Sequence, residues 1–424
     1  MRRIVCSLAA LLLTACPTVE EEEPPTPVPS VEDPSCSDEI LSPSGPGGGL
    51  AAEPVEAHAE TYGADPDPFQ VRLQWPTSQP HISGGFLWRT DAETLASTVE
   101  WGVGDDLGNV TEGSSFVYGK TDAFAGYRVH EVRLCGDLTP GTTYSYRVGG
   151  AGGWSSVAQF TTPAEPGSFD SVTIGIAGDS RGAYTTWASV VALMEAHDPD
   201  FYVFPGDMVD LGVVQSEWDS WFEATGDVLR SKVLVPSHGN HEFLATHYFA
   251  QFSLPGNEQW FSLDYGPLHL ISLNDTVSGD NDIEVFQPNF LETDLADNDS
   301  AWTFVAHHQP MYTASTNHSS NETLRDTWSP IYDANGVDVV INGHNHLYER
   351  SVPITGDAPD DDGITYIVTG GAGAPLYEGT DTPWYSAVAN PIEHYIIATI
   401  TGPTATFVVR DLDDNVIDEF TVTR

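Results

Sequence analysis

Positive charge is what this chain has least of. Lysine and arginine together number 15 against 62 aspartates and glutamates, a formal net charge of −47 over 424 residues. Proteins that hold nucleic-acid polymers neutralise phosphates with lysine and arginine, so that class of partner is excluded. The same imbalance repels small anions from the surface. An anionic substrate must therefore be drawn in by something other than basic side chains, and a bound cation would do it. No segment approaches the ~18 consecutive apolar residues of a membrane-crossing helix. Aromatic residues, by contrast, are plentiful at 11%, and hydrophobic residues reach 40%. Cores can be buried, and wholesale disorder is excluded. The length accommodates two domains plus extensions.

Cysteine is scarce too, with four residues, and two of them lie in the N-terminal stretch MRRIVCSLAALLLTAC. Residues 1–16 have the layout of a signal peptide: Arg2 and Arg3, then a short apolar run. Leu13-Thr14-Ala15-Cys16 resembles the lipobox of bacterial lipoproteins. That resemblance implies lipidation at Cys16. It places the protein in the bacterial cell envelope, in the periplasm or on the outer-membrane surface, with a lipid anchor as its only membrane contact. Setting aside Cys6 and Cys16 leaves Cys36 and Cys135, a candidate disulfide for an oxidising compartment. Residues 17–66 open as PTVEEEEPPTPVPSVEDPSCSDEILSPSGPGGG, a charged, semi-extended spacer.

Residues 67–163 read as all-β. Short alternating runs such as VRLQW, GGFLWRT, STVEWG, HEVRLCG and TYSYRVG are separated by Gly, Pro and Asp, which predicts a sandwich of about seven strands. Trp88 and Trp101 are read as core residues. The segment around Tyr144 is similar to the tyrosine corner of fibronectin type III domains. Residues 164–424 change texture. Strand-like runs VTIGIAG, FYVFPG and KVLVPS alternate with the helix-length TTWASVVALMEAH and a tryptophan-bearing helix, which predicts an α/β domain. HYIIATI, TATFVVR and IDEFTVT read as closing strands.

Chemistry gathers just after the hydrophobic runs. Five motifs stand there: Gly178-Asp179-Ser180-Arg181, Gly206-Asp207-Met208-Val209-Asp210, Gly239-Asn240-His241-Glu242, His307-His308 and Gly343-His344-Asn345-His346. In α/β sheets the carboxyl ends of the strands face the ligand crevice. Together the motifs pool carboxylate, amide and imidazole donors, a set suited to Zn, Mn or Fe rather than Ca.

The ordered set GD…GDxxD…GNHE…H…GHxH resembles that of calcineurin-like metallophosphoesterases. With the β domain in front, it is most similar to purple acid phosphatases. The resemblance implies a fibronectin III-like sandwich followed by a two-sheet α/β metallophosphoesterase domain. It also implies two metal ions, divalent or trivalent. Asp207 would bridge them, Asp179 and His346 would bind the first, and Asn240, His308 and His344 the second. His308 is preferred to His307 because it precedes Gln309-Pro310-Met311-Tyr312. His344 and His346 stand two apart in an extended segment, so both can face one cluster. Two cations ~3.5–4 Å apart activate a bound water and clamp a phosphoryl group. The implied activity is hydrolysis of small phosphate monoesters by a metal-bound hydroxide.

His241 matches the family's non-ligand histidine and is a candidate general acid, with Glu242 beside it to orient it. His318 falls where the family has another histidine near the leaving group, although a plain surface histidine would look the same. Two departures stand out. Asp210 replaces the tyrosine that gives the family its colour, and is expected to act behind the ligands rather than as one. Arg181 cannot ligate a cation, so it either clamps phosphate or pairs with Asp210. Phosphodiesters or nucleotides would suit the same site. A non-catalytic surface binding protein is opposed by the intact set of ligand positions.

Overall fold

The structure, a computed structural model, describes residues 55–168, 171–277 and 281–424. The leader, Cys16, most of the spacer and Cys36 lie outside the described residues. Cys135 is disulfide-bonded. Among the described residues no helix is long and apolar enough to cross a membrane.

The first domain is a sandwich of two antiparallel sheets. One runs Glu56–Ala57, Ser114–Tyr118, Tyr127–Cys135, Ser83–Thr90, Phe69–Gln74 in spatial order. The other runs Ala158–Thr161, Thr143–Gly150, Thr98–Val103, Asn109–Glu112, with Gly153–Trp154 added beside Thr143–Gly150. That is ten strands rather than about seven, because several are two- to four-residue pieces too short to leave a period in the sequence. Phe86, Tyr146 and Phe160 join the sheets, their rings 4.5 to 5.9 Å apart. The Tyr144 hydroxyl accepts the Thr139 amide at 2.9 Å, which closes the corner. Trp88 is fully buried, whereas Trp101 is half-buried and donates to Thr111.

Strand Ser83–Thr90 is buried at every position, because both faces of its sheet are covered. The far face docks on the second domain through polar groups. The Arg72 guanidinium, wholly buried, donates to the Gln251 carbonyl at 3.1 Å and lies 4.4 Å above the Phe222 ring. The Tyr118 hydroxyl donates to Gln215 at 2.6 Å and accepts from Gln251 at 2.9 Å. Arg89 pairs with Asp219, and Glu131 accepts from Ser253.

The second domain packs two sheets face to face. In the first, Leu234–Pro236, Phe201–Phe204 and Val172–Ile176 are parallel, and His394–Thr401, Thr404–Asp411 and Val416–Thr423 continue antiparallel. In the second, Leu268–Ser272, Trp302–Ala306, Val339–Asn342 and Thr365–Thr369 are parallel; Phe261–Tyr265 flanks one edge, and Tyr348–Ser351 and Ser386–Asn390 the other. Phe304 and Phe407 meet between the sheets at 5.8 Å. Helices Tyr184–Glu195 and Gln215–Thr225 cover the outer face of the first sheet, with Trp187 stacked on Trp221 and edge-on to Phe204. Gln287–Asp297 and Glu322–Asn335 cover the second. Seven parallel strands, three from one sheet and four from the other, thus run toward one side, and the five that end at residues 176, 204, 236, 306 and 342 lead into the five motifs.

One buried ion cluster braces the second sheet. His269 sits between Asp264 (2.7 Å) and Asp294 (2.8 Å). Burial lowers its pKa, but the two carboxylates outweigh burial and raise it from 6.5 to about 9. A raised folded pKa stabilises fully below the unfolded value of 6.5, and that contribution fades as pH climbs through about 9. Between pH 6.5 and 9.5 the wild type should lose up to about 3 kcal/mol more stability than a His269→Gln variant, judged by urea midpoints.

Candidate metal centre

The strand-end loops turn in a conformation that ordinary side chains avoid. Asp179, Asp207 and His344 have φ of +59°, +58° and +68°. Each costs about 1 kcal/mol or more and persists only because its surroundings force it. Glycines make the turns passable. A Cβ at Gly343 would lie 2.4 Å from Asp179 Oδ2, and one at Gly239 would lie 2.4 Å from Asp207 Oδ1. The backbone therefore closes directly on two buried carboxylates.

Asp179, Asp207 and His346 bring their donor atoms within 4.8 Å of one another, all three buried. His346 Nε2 is 3.5 Å from Asp179 Oδ1, and its Nδ1 is fixed by the Pro375 carbonyl at 2.7 Å. On the other side of Asp207, Oδ1 lies 3.3 Å from His308 Nε2, which is itself 3.1 Å from Asn240 Oδ1. The His308 Nδ1 is held by the Pro205 carbonyl at 2.7 Å. The His344 ring stands 5.0 Å from that of His308. All six expected metal ligands thus converge, and Asp207 is common to both halves.

Two buried carboxylates and two buried imidazoles, with the half-buried His344 beside them, make an environment built for positive charge. Burial acts to raise the pKa of Asp207, yet His308 and His241 hold it below the usual carboxylate range. Burial acts to lower the pKa of His308, yet Asp207 raises it to about 10. Burial, with His308 and His318 adding to it, pushes His344 down to about 2, so its ring is a neutral donor. The field that keeps a proton on His308 is the field that would hold a cation, and a cation would displace that proton. The donor set fits metal ions that accept mixed nitrogen and oxygen ligands.

The remaining expected residues separate by geometry. His307 points away from this cluster, bonded to Asp275 at 2.9 Å and edge-on to Trp328. His241 lies 3.9 Å from Asp207 Oδ2, and its Nδ1 is fixed by the Asp210 carbonyl at 2.7 Å. Glu242 does not orient the His241 ring. Its carboxylate accepts the amides of Gly239 (2.7 Å), Asp207 (3.0 Å) and Met208 (2.8 Å), tying two site loops together. Arg181 pairs with Asp210 at 3.0 Å, and its Nε is 3.6 Å from Asp207 Oδ2. Asp210 is therefore turned to Arg181, outside the cluster of Asp179, Asp207 and His346. His318 is exposed, yet its ring stands 4.3 Å from that of His344.

Tyr377 escaped the sequence reading. Its ring stacks on His346 at 4.1 Å, and its hydroxyl is 3.3 Å from His318 Nε2. The available signal was GGAGAPLYEG, a glycine-rich loop directly after the strand Thr365–Thr369. It lacked a histidine or aspartate to draw attention.

Residues 68–162 match the family "Purple acid Phosphatase, N-terminal domain", and residues 172–348 match "Calcineurin-like phosphoesterase". Purple acid phosphatase 22 of Arabidopsis thaliana is 27% identical over 345 residues, covering 75% of this chain and 74% of the relative. Purple acid phosphatase 21 of the same plant is 29% identical over 310 residues, 68% of each chain. Among solved structures, purple acid phosphatase PPD1 from yellow lupin seeds superposes with a TM-score of 0.74 at 21% identity, covering 84% of this chain and 74% of that one. A two-domain chain with these matches, folded around this cluster, is a purple acid phosphatase-like metallophosphoesterase, a phosphatase of the hydrolase class.

Proposed function

We propose that the protein hydrolyses phosphate monoesters at a dinuclear metal centre and is held in the bacterial cell envelope by a lipid on Cys16. The observation that carries the enzymatic part is the position of Asp207, between Asp179 and His346 on one side and His308 and Asn240 on the other. Asp179 and His346, with Asp207, would hold one ion; Asn240, His308 and His344, with Asp207, the other. When bound, the ions supply Lewis acidity and positive charge for a phosphoryl group. The anchoring part rests on the lipobox-like sequence alone.

The chain's own groups do the rest. The backbone carbonyls of Pro205 and Pro375 fix the tautomers of His308 and His346, leaving each Nε2 as the donor atom. The Asp210 carbonyl does the same for His241, whose Nε2 then faces the Asp207 side of the cleft. There it can deliver a proton to the departing oxygen. Arg181 and His318 flank the site from opposite loops and can hydrogen-bond to phosphate oxygens. Three groups positioned around one dianionic phosphoryl group favour a monoester, which has more terminal oxygens to hold than a diester.

Asp207→Asn should abolish hydrolysis of a chromogenic monoester and lower the content of both metals, measured by elemental analysis. Retention of both would remove Asp207 from the bridge. Arg181→Ala should leave metal content unchanged while raising the KM for the monoester; equal loss of metal would make Arg181 a support for the ligands instead. Tyr377→Phe keeps the stack on His346 but loses the hydroxyl. It should retain its metals and lose activity about tenfold, whereas Tyr377→Ala should also bind metal about tenfold more weakly.

A further inference from the structure

The mouth of the metal centre carries an apolar ledge. Among the described residues of the second domain, five large hydrophobic side chains are strongly exposed: Leu211, Val213, Phe243, Trp384 and Val416. Three of the five belong to the two loops that bring in Asp207, Asp210, Asn240 and His241. Those loops touch directly. The Gly212 amide donates to the His241 carbonyl at 2.8 Å, and a Cβ on Gly212 would come within 2.3 Å of the Glu242 carbonyl oxygen. Leu211 and Val213 flank the first side of this contact, and Phe243 follows the second.

Phe243 is held there against its own preference. It has φ +56° and ψ +21°, and Leu244 after it has φ +50°. A bulky residue in the left-handed region is a true outlier, and two in succession are costlier still. The result is a phenyl ring 53% exposed, edge-on to the His241 ring at 6.0 Å. Burial does not explain this arrangement, since the ring is in water. A function at the rim does.

We infer that Phe243, with Leu211 and Val213, forms a subsite for the leaving group and selects phosphate esters of neutral, aromatic or otherwise apolar alcohols. This rests on the monoesterase reading proposed above. His241 lies between the ring and Asp207, so a leaving group that takes its proton from His241 Nε2 departs across the ledge. The three ledge side chains offer stacking and apolar contact without charge, and the carboxylate beside them, Asp210, is negative. In a chain of net charge −47, a leaving group that is itself anionic gains nothing from it.

The test uses the metal-loaded protein and Phe243→Asn. Asparagine tolerates the left-handed conformation better than phenylalanine and removes the ring. The variant should lose about fivefold to tenfold in kcat/KM for 2-naphthyl phosphate, chiefly through KM, in keeping with a lost aromatic stack. Its kcat/KM for glycerol 2-phosphate should stay within about twofold of wild type, the scatter of such comparisons. Its Tm should be equal or higher. Val416→Ser, at an exposed apolar site on the last strand, should change neither substrate. Equal effects on both substrates, or none on either, would overturn the subsite. If the wild type hydrolyses no monoester, the proposed activity fails, yet the ledge is still decided by binding. Benzylphosphonate should raise the Tm of wild type more than methylphosphonate does, and Phe243→Asn should erase that difference; an unchanged difference would overturn the subsite.

Discussion

The second domain is organised around the burial of two carboxylates, Asp179 and Asp207, close enough to share a cation with His346. Carboxylates taken out of water next to one another repel and lose hydration. Their neighbours supply what water would. Both oxygens of Asp179 accept the His344 amide, and Asp207 Oδ1 accepts the His241 amide at 2.9 Å. The His344 amide belongs to one of the left-handed residues, whereas the His241 amide comes from the 3-10 turn Asn240–Glu242. The glycines beside them exist because no side chain fits between backbone and carboxylate. The two-sheet architecture follows the same need, since one sheet could not bring five strand ends around one pair of acids.

A ring of buried groups one step further out keeps those loops in place. Glu242 accepts three amides from two loops, and burial together with Asp207 raises its pKa to about 8. Glu349 does a comparable job for the loop bearing His318. It accepts from Thr313 Oγ1 at 2.9 Å and from the Ala314 amide at 2.8 Å. Its neighbours Tyr348 and Arg350 reach instead to Asp418 on the last strand. The segment YERS after the second histidine is thus structural throughout, anchoring the site's rim to the sheet edge.

This division explains what was legible in the sequence. Asp179, Asp207, Asn240, His308, His344 and His346 stand in short motifs that resemble the family's, so these positions could be named as expected ligands before any fold was known. Groups that act through shape or through the backbone leave none. Tyr377 stacks on His346 from a loop 31 residues further along, and only the fold joins them. Glu242 sits beside His241 in the chain yet turns to other amides, because a 3-10 turn at Asn240–Glu242 sends adjacent side chains apart. The β domain repeats the pattern. Its strands were readable from alternation, but nothing in that alternation marks Arg72, Arg89 and Glu131 as parts of the buried seam between domains.

Scarcity of positive side chains ends as a property of the site. Arg181 is the guanidinium nearest Asp207, and it is already engaged with Asp210. Without metal the cluster is therefore an anionic cavity that would reject phosphate. With metal the balance at its floor reverses while the surrounding surface stays strongly negative. On the proposed monoesterase reading, the phosphoryl group would be drawn to that floor by charge, and whatever it carries would have to tolerate an acidic exterior. An apolar rim beside the leaving-group side is then compatible with that exterior, because the field opposes anionic groups and leaves neutral apolar ones indifferent.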